Sequence, residues 1–465
     1  MKKLQSACLL VGLLAFSTVF AEELSFSNAW ERLLDVSDKL AADDQQLQRA
    51  QAERDAAKGL YLPSLSINGN YTHMEHPVEL DLRQLNPMAS LDLSALPPQY
   101  AAILGSIPGN LFVTRFTEQD IFNASLQAMW PIYTGGQITA AQGIHKAKVA
   151  EEQQRRELGR RELFITLVDR YYAVSVTGAL VQTQQQLVDS LKQHYQHALH
   201  MEQQGQIAKV ERLNAQVALD DANVTLGSAK RQYEMACIAL SRMLHEQAAS
   251  TRASMFVLAS EPSLPQLMEL TLKQHPALQL LSAKEQQAKG LIALENGKYK
   301  PTVYLYGNYT LYEDDTLLSQ ITSDWMVGLG VKVPLITRDG RSGKVQAAKS
   351  ALLQARYTKA QTTQDLSLLV DQSYRQMLQA QEEIQALESS RKLAQENLRL
   401  RELAFSQGLS TSLERVDAEI KLSAVKTKAL AAHYRYLQAY ARLMAVTGQL
   451  NEFIGHSKQE SGHAG

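Results

Sequence analysis

Three histidines stand at intervals of three residues in the segment HYQHALH, at His194, His197 and His200. Residues three apart share one face of a helix, so adjacent pairs could ligate a metal ion. No acidic or sulfur partner is obvious beside them, and histidines on a solvated helix face explain the same pattern. The sequence therefore predicts no metal site.

Other patterns that could carry catalysis or cofactor binding are incomplete. The segment GRSGKV at Gly340 lacks the spacing of a phosphate-binding loop and has Val345 where that loop needs Ser or Thr. No nucleophile stands with a base and an orienting group in a pattern typical of an enzyme. The formal net charge is −1, from 47 basic and 48 acidic residues, which argues against nucleic-acid binding. We therefore expect neither enzymatic activity nor a cofactor.

The N-terminus has the features of a signal peptide over residues 1–21. MKK is charged, residues 9–20 are apolar, and VFA before Glu22 fits a signal peptidase site. The apolar run is too short to cross a bilayer, and we find no later stretch of the roughly 18 to 20 apolar residues that a transmembrane helix needs. The mature protein is therefore expected to be exported and to enter a membrane, if it does, as strands.

Two parts of the chain repeat each other. YLPSLSINGNYT at 61–72 aligns with YKPTVYLYGNYT at 299–310, an offset of 299 − 61 = 238. GQIAKVERLNAQV at 205–217 aligns with GLSTSLERVDAEI at 408–420, an offset of 408 − 205 = 203. A duplicated unit explains both alignments. Because the offset falls, the first copy carries about 35 extra residues, which fit a long loop over residues 73–120.

The sequence after each strand region is typical of long helices. Residues 139–204 contain no proline and repeat apolar pairs seven residues apart, which is coiled-coil spacing, and their counterpart is 341–407. About 65 helical residues span roughly 100 Å. Gly205 and Gly408 follow these helices and favour a left-handed helix cap. Each copy is thus predicted to contain an antiparallel helical hairpin with its tip at that glycine.

Four segments alternate apolar with polar side chains, which is typical of β-strands. Leu65, Ile67 and Tyr71 share one face of the first strand, and Asn68 and Asn70 share the other. Lengths of about ten residues and aromatic residues near the ends match transmembrane strands, with a half-exposed soluble sheet as the alternative. The predicted strands cover residues 62–74, 121–131, 300–312 and 323–333.

These features divide the chain into five segments. Each repeat contains a helix, two strands and a helical hairpin. Four strands cannot close a barrel, and open edges in lipid leave backbone groups unpaired at several kcal/mol each. Several chains must share one barrel, either two with 8 strands or three with 12. The segments are a signal peptide at 1–21, a first repeat at 22–246, a linker at 247–262, a second repeat at 263–447 and a C-terminal tail at 448–465.

Three sets of paired motifs carry a resemblance to a known family. They are LPSLSINGNY with KPTVYLYGNY, the strand-to-helix junctions WPIYTGGQ and VPLITRDGR, and the hairpin tips GQIAKVERLNAQ and GLSTSLERVDAE. In their order and duplication the chain resembles the TolC-like outer membrane factors of Gram-negative bacteria. The resemblance implies a mixed α/β membrane protein, a homotrimer whose shared 12-stranded outer-membrane β-barrel continues into a periplasmic α-helical coiled-coil barrel. It also implies a passive channel of a tripartite efflux or secretion system, with a periplasmic adaptor, an inner-membrane transporter and outer membrane lipid as partners.

The same resemblance implies a pore aperture at the second hairpin. Glu414 and Asp417 fall where the family narrows its periplasmic entrance with carboxylates, and Phe405 falls at an aromatic gating position. Ser410 replaces a basic residue there, which argues against an aperture-locking ion pair at this position. Six carboxylates from three copies would attract cations and raise one another's pKa by crowding. The alternative is that Glu414 and Asp417 are solvated helix residues three apart.

The hairpin tips are the predicted adaptor-docking surface. Small and branched apolar residues at a helix turn suit the packing of helix tips, although ordinary packing within a hairpin explains them as well. The residues are Gly205, Val210, Glu211, Leu213, Gly408, Leu413 and Val416.

A function of another class is a structural coiled-coil envelope protein or an adhesin. An adhesin needs a long external domain, and the residues that follow GNYT are too few to form one. Carboxylates at the hairpin tip and paired strands favour the channel. The substrate class stays open, because in such a system the transporter selects the substrate.

Overall fold

The protein is mostly helical with a smaller β-sheet component. The structure, a computed structural model, describes residues 24–81, 94, 96–106, 113–246, 251, 255–317 and 319–461, so the predicted signal peptide lies outside the described residues. The helices are α1 (Phe26–Val36), α2 (Asp38–Lys58), α3 (Pro98–Gly105), α4 (Gln137–Gln203), α5 (Lys209–Leu244), α6 (Leu264–Gln274), α7 (Pro276–Gly297), α8 (Arg341–Ser406), α9 (Ser412–Thr447) and α10 (Leu450–Ser461). The strands are β1 (Ser64–His73), β2 (Glu79–Asp81), β3 (Val113–Arg115), β4 (Asp120–Tyr133), β5 (Thr302–Glu313) and β6 (Trp325–Lys332).

The chain forms two compact units, and each takes segments from both predicted repeats. The repeats therefore do not fold as two separate bodies. The helical unit consists of Met1–Gln48, Ala150–Ser282 and Arg356–Gly465, and the sheet unit consists of Arg49–Val149 and Ala283–Ala355.

The sheet unit is built on one antiparallel four-stranded sheet in the order β1-β4-β5-β6. Its strands lie at the four predicted positions, and their ends fall within two residues of the predicted ends. A second sheet pairs β2 with β3 inside the segment that was predicted to be a long loop. That segment also contains α3, so the prediction of a long loop was wrong for part of it.

The two faces of the four-stranded sheet differ in polarity. Leu65 and Ile67 of β1 are 69% and 70% exposed, and Val327 and Leu329 of β6 are 64% and 65% exposed. The opposite face lines a concavity of about 920 Å³ that is bordered by hydroxyl and amide side chains such as Asn123. Because side chains alternate across a strand, the period-two sequence pattern produces this separation directly. An apolar face left bare in one chain is the arrangement that contact with lipid requires.

The core of the helical unit is a cluster of aromatic rings around Phe453 of α10. Phe453 is completely buried, and its ring centroid lies 5.3 Å from that of Phe26, 5.5 Å from Phe164 and 5.4 Å from Tyr440. Pairs at these distances in edge-to-face or offset geometry add to the energy of burial. The segment predicted to be a C-terminal tail is therefore in part a core helix.

The segment predicted to be a linker also contributes to this core. Phe256 is 4% exposed and its ring lies 5.5 Å from that of Phe453. Thr251 forms an isolated bridge with Leu24. Part of the described segment of residues 247–262 therefore packs into the core.

Helix α4 is long and apolar enough to cross a membrane by length and composition alone. This differs from the sequence expectation that no stretch after the signal peptide meets the criterion. The side chains of Phe164, Leu167, Tyr171 and Tyr172 on this helix are completely buried in the core of the helical unit. Packing within the protein thus accounts for part of the apolar composition.

The aromatic core yields a stability prediction. We expect Phe453→Ala to lower the free energy of unfolding by about 3–5 kcal/mol, because the substitution leaves a cavity among rings that close only partly around it. The matched control is Leu409→Ala, since Leu409 is 78% exposed. Thermal unfolding of both variants, followed by far-UV circular dichroism in detergent, tests this. Equal midpoints for the two variants would contradict the core assignment.

Candidate pore aperture and hairpin tips

The two hairpin tips share one backbone conformation. Gly205 has φ of +74° and Gly408 has φ of +73°, in the left-handed region that glycine adopts without strain. In each tip the residue after the glycine donates its N–H at 2.8 Å to a carbonyl five residues earlier, Gln206 to Met201 and Leu409 to Ala404. This is the Schellman pattern that ends a helix. Both glycines therefore act as the caps that the sequence predicts.

Glu414 sits in the first turn of α9 and is paired within its own chain. Arg401 Nη1 donates to Glu414 Oε2 at 2.8 Å, and the Ser410 hydroxyl donates to the same oxygen. The hydrogen bond from Ser410, followed by the charge of Arg401, lowers the pKa of this carboxyl. Within one chain the pKa shift is opposite to the rise that we expected from carboxylate crowding. Ser410 is thus a direct partner of Glu414, although its hydroxyl brings no positive charge.

Asp417 lies one turn further along α9 and is exposed. It borders a groove that Leu187 of α4, Val217 of α5 and Leu413 of α9 also line. Within the part of the chain that the structure describes, Asp417 has no ion-pair partner. Of the two predicted aperture carboxylates, Glu414 is paired with a basic side chain of its own chain. Asp417 forms no such pair among the described residues.

Phe405 is a packing residue in this conformation. It is 3% exposed, and its ring lies 4.8 Å from the ring of His194 and 5.9 Å from that of His197 in edge-to-face contacts. A side chain that lines an aperture must reach the solvent, and this one does not. The family resemblance predicts a gating role for Phe405, whereas the packing of the two hairpins buries its ring between them.

His194 joins the two hairpins through a buried hydrogen bond. Its Nε2 lies 2.7 Å from Oγ of Ser412, which is completely buried at the start of α9. Burial, with the nearby charge of Arg415, lowers the pKa of His194 to about 3, so the ring is neutral at physiological pH. Among the described residues, no group of three or more His, Cys, Asp or Glu side chains is placed to hold a metal ion.

A buried ionic network near the tip was missed by the sequence analysis. Arg415 Nη2 donates to Ser190 Oγ at 3.0 Å and to Glu402 Oε1 at 2.9 Å, and lies 3.4 Å from Glu419 Oε2. Ser190 in turn donates to Glu419 at 2.6 Å. The side chains of Arg415 and Glu419 are only 8% and 10% exposed. The only signal in the sequence was the position of Arg415, a basic residue on the face of α9 that also carries small residues.

The predicted docking residues do not form one uniform surface. Val210, Leu213 and Leu413 are 55%, 43% and 53% exposed. Val416 is 4% exposed, in a cluster with Leu187, Leu191 and Leu226, so its assignment to the docking surface was wrong.

Glu211 has a role within the chain. Its Oε2 accepts the backbone N–H of Ser412 at 2.8 Å, which satisfies one of the free donors at the start of α9. A carboxylate near a helix N-terminus is also stabilised by the helix dipole. Glu211 thereby links the tip of the first hairpin to the second.

Comparison with known proteins decides the family. The sequence matches the family described as OEP, outer membrane efflux protein, over residues 30–245 and 267–449. The chain belongs to the outer membrane efflux protein family. The protein is therefore an outer membrane channel for efflux or secretion that extends into the periplasm. An efflux channel of this family implies a tripartite assembly with an adaptor and an inner-membrane transporter.

Individual relatives are distant in sequence but similar over nearly the full length. The chain is 23% identical over 472 residues to the Proteases secretion protein PrtF of Dickeya chrysanthemi, which covers 96% of this chain and 93% of that protein. The outer membrane protein VceC of Vibrio cholerae matches with a TM-score of 0.72 at 15% identity, over 91% of this chain and 96% of that one. The open MtrE outer membrane channel of Neisseria gonorrhoeae matches with a TM-score of 0.72 at 16% identity, over 92% and 89%. These structures establish the fold of an outer membrane channel.

The buried network yields a prediction for the mobility of the tip. We expect Arg415→Ala to speed amide hydrogen exchange around the start of α9, because it leaves Glu419 buried without its cation, a loss of about 3–5 kcal/mol. Arg401→Ala is the control, since its pair with Glu414 is exposed and such pairs contribute about 0–1 kcal/mol. Exchange followed by mass spectrometry separates the two. Equal exchange in both variants would show that the network does not hold the tip.

His194 yields a prediction for pH dependence. Its folded-state pKa lies below the ordinary value of about 6.5, so the unfolded tip binds the proton more readily. The contribution of the neutral His194 to the stability of the tip is therefore fully present above pH 6.5. It is lost progressively as the pH drops towards about 3. In His194→Gln this part of the pH dependence should be absent. Amide exchange at the tip, compared at neutral and mildly acidic pH, measures it, and an identical pH dependence in both proteins would contradict the assignment.

Proposed function

We propose that three copies of the chain form one duct. Twelve strands, four from each copy, close a barrel in outer membrane lipid, and the helices continue it as a tube into the periplasm. The duct receives substrates from an inner-membrane transporter through a periplasmic adaptor. A passive duct needs no catalytic group of its own.

The observation that carries this proposal is the four-stranded sheet with a bare apolar face and two open edges. Strands β1 and β6 each have one neighbour in the sheet. Their outer backbone groups need partners in lipid, where each unpaired group costs several kcal/mol. Pairing of β1 from one copy with β6 of the next supplies those partners. Three copies give 12 strands and an open interior, whereas eight strands would be filled by side chains.

The helical unit offers matching surfaces for neighbouring copies. Val217, Val224 and Ile238 on α5 are 61%, 72% and 57% exposed and lie at multiples of seven residues. Leu393 and Leu400 on α8 are 71% and 52% exposed and are also seven apart. Exposed apolar stripes of this period are the seams of coiled coils. We infer that they pack against helices of adjacent copies and extend the tube.

The aperture of the duct is proposed at the second hairpin. Glu414 and Asp417 are both exposed in the first turns of α9, and three copies bring six carboxylates to one ring. Arg401 offsets the charge of Glu414. Asp417 therefore contributes more of the negative potential that selects cations.

The adaptor is proposed to dock on the exposed part of the hairpin tips. This surface consists of Val210, Leu213 and Leu413 beside the two glycine turns at Gly205 and Gly408. Apolar side chains exposed at a tight turn suit packing against another helical tip. Glu211 lies beneath this surface and holds α9, so docking there contacts the helix that carries the proposed aperture.

Single-channel recording in planar bilayers tests the duct. We expect cation-selective channels from the wild type and a loss of selectivity in Asp417→Ala that exceeds the loss in Glu414→Ala, because Glu414 is already paired with Arg401. Glu388→Ala is the control, since Glu388 is likewise paired with an arginine, Arg391, but lies elsewhere on α8. Absence of channels from inserted trimers would contradict the duct. Channels that respond equally to all three substitutions would contradict the aperture.

A further inference from the structure

Two tyrosines stand side by side on the concave face of the sheet. Tyr304 and Tyr306 of β5 both line the concavity, and their ring centroids are 6.1 Å apart. They begin seven residues after α7 ends at Gly297, so they lie near the end of the sheet where the strands join helices. Tyr309, on the same strand, has the opposite parity and belongs to the apolar face.

Two glycines on the neighbouring strand, β6, lie under these rings. Tyr306 pairs with Gly328 and Tyr304 pairs with Gly330 in the register of β5 and β6. A Cβ added to Gly328 would lie 2.5 Å from Cζ of Tyr306, and one added to Gly330 would collide with Tyr304 in the same way. Each ring therefore lies across β6 where only glycine leaves room. The backbone of the two glycines thus provides the surface on which each ring packs.

The wall around the rings is almost uncharged and contains both polar and apolar side chains. Among the described residues that line the concavity, Glu313 alone carries a charge, and the others include Asn123, Gln127 and Asn308. Tyr306 is 39% exposed, so part of its ring is open to the cavity. The electron-rich face of a tyrosine attracts planar aromatic groups and organic cations, and does so best where ions do not compete.

We propose that Tyr304 and Tyr306 form an aromatic binding site inside the barrel for aromatic organic cations in transit. This site rests on the proposed trimeric duct, in which three copies place six rings near the periplasmic end of the barrel. The rings hold the passing molecule by stacking and cation–π attraction while the amides and hydroxyls around them keep the wall hydrated. The site is distinct from the carboxylates at the hairpin tip, which act by charge alone.

Reversible block of single channels tests the site. The probe is tetraphenylphosphonium, and tetrabutylphosphonium serves as an aliphatic cation of equal charge. We expect longer blocks by the aromatic cation in the wild type, shortened roughly three- to tenfold in the Tyr304→Leu/Tyr306→Leu double variant. Blocks by the aliphatic cation should shorten less, because it has the cation–π attraction but no ring to stack on the tyrosines. Tyr309→Leu, on the opposite face of the same strand, is the matched control and should behave as the wild type.

Two further variants distinguish the binding site from a purely structural role, in which the rings only cover the glycines of β6. Tyr304→Phe/Tyr306→Phe keeps the ring faces and should preserve the long blocks. Gly328→Ala keeps both tyrosines but displaces the ring of Tyr306, and should shorten them.

The possible results separate the site from the duct. Wild-type channels whose block is unchanged in the leucine double variant would overturn the site and leave the duct intact. Equal loss for both cations, or an equal loss in Tyr309→Leu, would also overturn it, because the effect would then lie in the barrel and not in the ring faces. Absence of wild-type channels would overturn the duct and the site with it.

Discussion

The need to pair every backbone group in lipid governs this protein. One chain supplies four strands with an apolar face, which is too few to close a cylinder and leaves two edges unpaired. The apolar face is unfavourable in water, and the unpaired edges are unfavourable in lipid. The proposed shared barrel satisfies both requirements, and it would place the hydroxyl and amide groups of the concave face in its interior.

A second physical theme is the placement of charge and polarity at the hairpin tips. The ion pair between Arg401 of α8 and Glu414 of α9 is exposed, and pairs of this kind contribute little to stability. Arg415 and Glu419 differ because they are buried between elements from both predicted repeats, together with the neutral His194. Buried polar contacts of this kind depend on geometry more than apolar contacts do, so they specify how the two hairpins meet.

Much of the fold could be predicted because its signals are periodic. Alternation in β1 separates Leu65 from Asn68, and the glycine after each long helix marks its end. The failures are equally instructive. The segment 448–465 was interpreted as a tail because a short, polar, amphipathic stretch carries no strong signal, yet Phe453 completes an aromatic core drawn from four distant segments. No local pattern reveals which distant side chains will surround a residue.

The sequence by itself determined the alternation of strand faces, the long helices, their glycine turns and, through paired motifs, the family. Each of these follows from periodicity or from the conformation of single residues, which are local properties. Only the tertiary structure decided that Phe405 and Val416 are buried and that Arg401 forms an ion pair with Glu414. It also decided that Tyr304 and Tyr306 lie over glycines of the next strand. Exposure and pairing arise from contacts between segments far apart in the chain, and spacing along one segment does not encode them.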